Sequence, residues 1–239
     1  MDYRAGETLL VDKDLGWTSF DVVNKLRYAL KALYGVKKFK VGHAGTLDPL
    51  ASGLLLICTG KKTKEIDGFT GLDKEYTGTI SLGATTETYD LESEVQHVAD
   101  AQVPDLNALK ESMSGFVGSI QQTPPRYSAK RINGQKSYER ARKGEQFQPK
   151  SVEIRINSFE IVAFKEKNLD FILSCSKGTY VRSLAHDLGE KLGCGGHLSA
   201  LRRTAIGSFR VEESMSVEDW VETIKKSPSP AGNNVDLNL

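Results

Sequence analysis

The chain has 239 residues, 39% of them apolar, and its 32 Lys and Arg stand against 31 Asp and Glu for a net charge of +1. That length supports one large or two small globular domains, and the near-neutral total excludes a uniformly basic nucleic-acid binder. The longest wholly apolar run, residues 54–58, is too short to span a bilayer, and residues 1–10 hold no basic-then-apolar leader. Cys58, Cys175 and Cys194 lack CxxC spacing, which argues against a disulfide framework or zinc site and for a reducing cytoplasm. Cys58 and Cys175, in apolar runs, are expected to be buried.

Leu9-Leu10-Val11 reads as a first strand. Thr18 or Ser19 caps a helix in which Phe20, Val23, Leu26, Leu30 and Leu33 recur at helical spacing, and Gly35 stops it. Lys37, Lys38 and Lys40 lead into a polar loop at 42–48, a proline turn and the apolar strand 54–58. A helix starts at 59–64. Residues 76–82 alternate as a strand, 83–90 read as loop, and 105–116 have helical spacing. Thr123-Pro124-Pro125 forces an extended stretch, and 137–143 reads as a short helix ended by Gly144. Residues 152–156, 159–165 and 169–174 read as three strands separated by polar turns. A helix at 180–192, strands at 198–209 around Gly207 and a helix at 217–224 follow. The Ser-, Pro- and Asn-rich tail, 227–234, is expected to be mobile. The irregular mixture predicts an α+β fold with a mixed, largely antiparallel central sheet flanked by helices and loops.

Charge is unevenly spread. Between 121 and 150 lie Arg126, Lys130, Arg131, Lys136, Arg140, Arg142, Lys143 and Lys150, against Glu139 and Glu145 only. Clustered cations with interleaved Tyr127 and Tyr138 suit phosphates and stacked bases; a solvated surface loop is the plainer alternative. In the run GHAGTLDP, Pro49 fixes its own φ and keeps Asp48 out of the helical region. A carboxylate so held ahead of an apolar strand is placed either for chemistry or simply to cap a turn.

Residues 42–64, GHAGTLDPLASGLLLICTGKKTK, resemble the central motif of the TruB family of tRNA pseudouridine synthases. The resemblance implies that Asp48 is the catalytic residue and His43 the histidine of the displaced RNA loop. Lys64, at the family's spacing, would meet a phosphate or a structural acid. Residues 175–184, CSKGTYVRSL, are similar to the family's K-G-T-Y-[IV]-R motif. They imply Arg182 as partner of the catalytic carboxylate and Tyr180 as a wall of the base pocket; otherwise Arg182 is a surface ion pair. Residues 82–90, LGATTETYD, resemble L-G-x-x-T-x-T-x-D, with Glu87 where the family usually has Asp, and offer Asp90 as a carboxylate able to pair with Arg182. Tyr76 matches the tyrosine that stacks on the extruded uracil. Residues 122–130, QTPPRYSAK, match the start of the family's thumb-like basic insertion. This implies an RNA clamp carrying Arg126, Lys130, Arg140, Arg142 and Lys143.

The resemblance implies the pseudouridine-synthase fold. It gives a catalytic domain over 1–210 that includes a clamp at about 121–150. A short extension, 211–239, is too small for a full C-terminal RNA-binding (PUA) domain. The implied reaction converts uridine 55 in the T loop of tRNA to pseudouridine by base flipping. Its carboxylate would act on the sugar or on the base. Neither a cofactor nor a metal is expected, and the expected partner is the tRNA T-arm stem-loop, bound by a monomer with no membrane and no obligate protein partner. The alternatives are a non-catalytic RNA-folding protein on the same scaffold, a relative working within a guide-RNA particle, and a carboxylate glycosidase using Asp48 and Asp90.

Overall fold

The structure is a computed structural model that describes residues 1–228 except 103, 129–130, 133–134, 138–139, 141–142, 146 and 148, with the backbone alone at 131, 132 and 136. Its strands are β1 (Thr8–Lys13), β2 (Val41–Ala44), β3 (Ala51–Thr59), β4 (Lys74–Leu82), β5 (Ala84–Thr85), β6 (Gln96–His97), β7 (Gly118–Gln122), β8 (Arg131–Ile132), β9 (Gln135–Lys136), β10 (Val152–Lys165), β11 (Asn168–Cys175), β12 (Gly196–Ile206), β13 (Phe209–Arg210) and β14 (Met215–Ser216). Its α-helices are α1 (Ser19–Tyr34), α2 (Ile66–Gly71), α3 (Leu106–Ser114), α4 (Val181–Lys191) and α5 (Val217–Lys226). They form two compact units, one built from Met1–Gly71 and the chain from Thr204 onward, the other from Leu72–Arg203.

In the first unit β1 runs antiparallel to β3, from Thr8 opposite Cys58 to Lys13 opposite Gly53, and parallel to β14. β2 pairs with the other edge of β3. Helix α1 starts at Thr18, whose hydroxyl accepts from the Asp21 N–H while the Asp21 carboxylate accepts from the Thr18 N–H. This reciprocal cap is the helix start that the sequence announces. Gly35, at φ 60°, stops the helix in the left-handed region. Val22, Val23, Leu26, Ala29 and Leu30 form its buried face. Phe20 does not join them: it is 59% exposed, with the Arg27 guanidinium over its ring. It lies two positions from Val22, off the 3.6-residue stripe.

The segment after 210 is part of this core. Val217, Trp220, Val221 and Ile224 of α5 pack with Leu9, Val11, Leu55, Ile57 and the α1 stripe in one buried cluster. The Trp220 indole N–H donates to the Leu10 carbonyl at 2.7 Å. Each such burial contributes about 1.5–3 kcal/mol.

In the second unit β4, β11, β10 and β7 form an antiparallel sheet, with β12 beside β4. At Gly78 a Cβ would stand 2.6 Å from the Ala200 carbonyl oxygen, so only glycine lets the strands approach there. The two strands expected at 152–156 and 159–165 are one 14-residue strand. Asn157-Ser158 looks like a turn but forms a bulge, with the Asn157 amide bonded to Asp73 and Ser174. Helix α3, capped by Asp105, packs against β10 and α4. Phe159 meets Phe171 edge-on at 5.5 Å.

The class is α+β: β1 and β14 run parallel, while β1–β3, β2–β3, β4–β11, β10–β11 and β7–β10 run antiparallel. Among the described residues no helix is long and apolar enough to cross a membrane. Cys58, Cys175 and Cys194 are free and buried.

Candidate active site

Asp48 lies in the first unit, on the turn between β2 and β3. Residues 42–44 are strand rather than loop, paired with Leu56–Cys58, and His43 sits half-buried opposite Ile57. Gly45, at φ 87°, opens the turn. The buried Ser19 hydroxyl accepts from the Leu47 N–H at 2.8 Å and donates to its carbonyl at 3.0 Å. The Ala51 N–H donates to the Asp48 carbonyl at 3.0 Å, and the Gly16 N–H to the Pro49 carbonyl at 2.8 Å. The first turn of α1 and the start of β3 thus fix the backbone on both sides of a half-buried carboxylate.

Lys64 is exposed on a 3-10 turn, Gly60–Glu65, which stands where a helix is expected from residue 59. Thr63 folds its hydroxyl onto the Gly60 carbonyl and tightens that turn. Lys64 lines a concave surface of about 330 Å³ with Arg4, Lys38, Lys40 and Lys61. It continues, through Lys38 and Lys40, into one of about 530 Å³ lined by Arg27, Lys31 and Lys37. Among the described residues no Asp or Glu lines either. The sequence shows the lysines at 37–40 but not their convergence with Arg4, Arg27 and Lys61, which only the fold creates.

In the second unit three motifs meet around Arg182. Its guanidinium donates to the Tyr127 carbonyl at 2.9 Å, to the Thr88 carbonyl at 3.4 Å and to the Asp90 carboxylate at 3.5 Å. The pair is buried, the two side chains being 6% and 7% exposed, so it is no surface ion pair. The other Asp90 oxygen accepts from the Thr88 hydroxyl at 2.6 Å and the Glu92 N–H at 3.0 Å. The Tyr127 hydroxyl donates to Glu87 at 2.9 Å, linking 122–128 to 82–90. Tyr180, half-buried, is the residue just before α4, and the Gln122 side chain bonds both its N–H and its carbonyl. Tyr76 is 8% exposed on β4, opposite Leu173.

The basic segment is knit to itself. Arg126 donates to the Glu145 carbonyl at 2.8 Å, and Arg140 to the Glu145 carboxylate at 2.7 Å. Both guanidinium groups stand over the Phe147 ring, at 5.6 and 4.5 Å. Lys143 is exposed. Lys130 and Arg142, with Gly134 and Tyr138, lie outside the described residues, as does part of the helix expected at 137–143.

A cluster beside this site went unread in the sequence. Tyr89, at φ 66°, stacks on His186 at 3.9 Å with the rings 9° apart. Burial holds the His186 imidazole below its ordinary pKa. Burial, with the Glu190 charge behind it, pushes Asp187 up to about 6. Lys74 is held down to about 8 by burial first and then by Arg203. Among the described residues no three His, Cys, Asp or Glu side chains group as a metal site requires.

Residues 31–181 match the N-terminal domain of TruB family pseudouridylate synthases, and 182–228 match the C-terminal domain of tRNA pseudouridylate synthase B. The chain belongs to the TruB family. Family members are enzymes, and the chain carries that family's fold. It is 46% identical over 222 residues to tRNA pseudouridine synthase B of Phocaeicola vulgatus, covering 93% of this chain and 94% of that one. To the Flavobacterium johnsoniae protein of the same name it is 47% identical over 225 residues, covering 94% and 98%. Among solved structures it is similar to a chain of a Cbf5-Nop10-Gar1 complex, at 27% identity and a TM-score of 0.68 over 92% of this chain. A chain of an H/ACA RNP bound to a substrate RNA containing 2'-deoxyuridine matches at 26% identity and a TM-score of 0.63 over 90%. The chain spans about half the length of those two solved chains, 54% and 52%.

Proposed function

We propose that this TruB family enzyme converts uridine to pseudouridine at position 55 in the T loop of tRNA, with Asp48 as its catalytic carboxylate. The observation that carries the substrate is likeness along almost the whole chain, at 43–47% identity, to proteins named tRNA pseudouridine synthase B. Likeness to the chains of the Cbf5-Nop10-Gar1 complex and of the H/ACA RNP is lower, at 27% and 26% identity, and covers about half of each, which favours the tRNA enzyme.

The reaction is an isomerisation. The N1–C1′ bond breaks, the base turns, C5 bonds to C1′, the C5 proton leaves and N1 gains one. No redox step occurs. An ionised Asp48 assists by meeting the sugar or the base, and its stiff turn holds it for either route. The uridine first leaves its stack. By their motifs Tyr76 and Tyr180 receive the extruded base, His43 faces the displaced loop, and Arg182 with Asp90 supports the catalytic carboxylate. Lys64 and the basic segment with Arg126, Lys130, Arg140, Arg142 and Lys143 meet RNA phosphates. The enzyme acts as a cytoplasmic monomer.

The test is a short synthetic T-arm hairpin incubated with pure enzyme in excess chelator and read by mass spectrometry. Conversion of its single target uridine, without guide RNA or metal, is expected. Conversion of full-length tRNA but not the hairpin under the same conditions would show that recognition extends beyond the T arm. Conversion of neither would overturn the reading.

A further inference from the structure

The start of α4 is fastened from outside the helix. Tyr180 occupies its N-cap position with φ −97° and ψ 103°, and its side chain makes no capping bond. An N-cap normally supplies its own acceptor to the first turn. Gln122, 58 positions away at the end of β7, holds the cap residue itself, with a side chain that has no exposed surface. Its amide oxygen accepts from the Tyr180 N–H at 2.8 Å, and its amide N–H₂ donates to the Tyr180 carbonyl at 3.0 Å. The next residue adds a second tie, the Thr123 carbonyl accepting from the Ser183 hydroxyl at 3.1 Å.

We infer that Gln122 is a positioning residue for turnover: its amide brackets the Tyr180 backbone, with one bond to each of the two peptide groups flanking its Cα, and so sets where the Tyr180 ring and, two residues on, the Arg182 guanidinium stand. The chemistry singles out glutamine. One planar amide offers an acceptor and a donor side by side, the complement of a peptide N–H and C=O. Glutamate keeps the acceptor but turns a second lone-pair oxygen toward the Tyr180 carbonyl. Methionine keeps the length and makes neither bond, so the Tyr180 N–H loses the Gln122 oxygen while the Tyr180 carbonyl keeps the Leu184 N–H. The α4 backbone survives such changes, because Leu184, Ala185 and Leu188 remain buried beneath it. What shifts is its first turn, which carries both functional side chains. A misplacement on the order of 1 Å there costs roughly a hundredfold in rate while leaving most RNA contacts in place.

The inference rests on the roles proposed for Tyr180 and Arg182, so the experiment reads two things. Single-turnover pseudouridine formation at saturating enzyme, together with tRNA affinity by filter binding, is measured for the parent, Gln122→Met and Gln122→Glu. Backbone amide exchange of the segment 180–184 is measured on the same free proteins. Both variants should lose about ten- to a hundredfold in rate with affinity within about threefold of the parent, a kcat loss without a KM loss. Exchange at 180–184 should rise about tenfold or more while β10 and β11 keep the parent's protection. Unchanged exchange in the two variants would overturn the bracket, and raised exchange with an unchanged rate would overturn its role in turnover. A parent that forms no pseudouridine would sink the functional reading instead, and the exchange result would still decide the bracket. Should Gln122→Met fail to fold, Gln122→Glu, which retains one of the two bonds, decides by the same readouts.

Discussion

The Arg182 guanidinium rests on the Tyr127 carbonyl oxygen at 2.9 Å, so a peptide from the start of the basic segment forms part of the arginine's seat. The opposite side of that seat is Asp90, locked by the Thr88 hydroxyl and the Glu92 N–H. A planar fork spans both sides in one fixed geometry, whereas a compact ammonium has neither that span nor that orientation. Arg182→Lys should therefore lower single-turnover pseudouridine formation by about a hundredfold while tRNA affinity stays within about threefold. Parent-like values for both would reduce Arg182 to a structural ion pair.

Asp48 is held by the hydrogen bond at its own carbonyl and by Ser19 acting on Leu47, so its backbone does not depend on its charge. Asp48→Asn should keep the fold and bind tRNA within about threefold, yet lose at least about a thousandfold in turnover. Measurable conversion by the purified variant near the parent rate would remove Asp48 from the chemistry.

How much of this was legible in the sequence differed from element to element. Helix α1 could be read from end to end, because its cap and its stop are local signals at Thr18, Asp21 and Gly35. The continuity of β10 could not, since a bulge at Asn157-Ser158 uses the same residues as a turn. Residues 217–224 read as a short helix, but nothing local says that Trp220 closes the core of β1. Asp48 and Arg182 stand in contiguous motifs, and it is those motifs that propose them for the site. Gln122 stands in such a motif as well, but its service to Tyr180 joins positions 58 apart and leaves no pattern in the chain.

Asp187 makes stability fall as pH rises. Its folded pKa of about 6 lies above the unfolded value near ~3.9, so between them the folded state holds a proton that the unfolded chain has lost. The group stabilises the fold below this window and ceases to as pH passes about 6. His186, depressed by burial, acts in the opposite sense, its contribution being lost as pH falls below its ordinary range. A difference between two proteins isolates Asp187. Asp187→Asn should melt above the parent at about pH 7.5, with the gap closing toward about pH 4. A gap that does not change with pH would rule out a titrating Asp187.

Trp220 ties the last helix to the first strand through its ring and its Leu10 hydrogen bond. Trp220→Ala should cost about 3–5 kcal/mol, and Trp220→Phe about 1–3 kcal/mol through the lost indole donor. Urea unfolding with an unchanged m value reads both. A loss below about 1 kcal/mol for the alanine variant would mean that α5 is not part of the first unit's core.

Arg140 and Lys143 sit three residues apart in the basic segment but are not equivalent. Arg140 already faces the Glu145 carboxylate at 2.7 Å and covers Phe147, so a phosphate would have to displace an existing ion pair. Lys143 is exposed at the turn that follows, its N–H bonded to the Arg140 carbonyl. Counterion release counts cations that go from solvated to phosphate-bound, and a cation neutralised beforehand releases less. Lys143→Gln should thus reduce the slope of log affinity against log salt for tRNA by about one. Arg140→Gln should reduce it by less, while loosening the stacked segment. The measurement is a filter-binding titration of each variant across salt concentrations. A slope that falls as far or further for Arg140→Gln would show that Arg140 abandons Glu145 for the RNA, and that the segment rearranges when the substrate is bound.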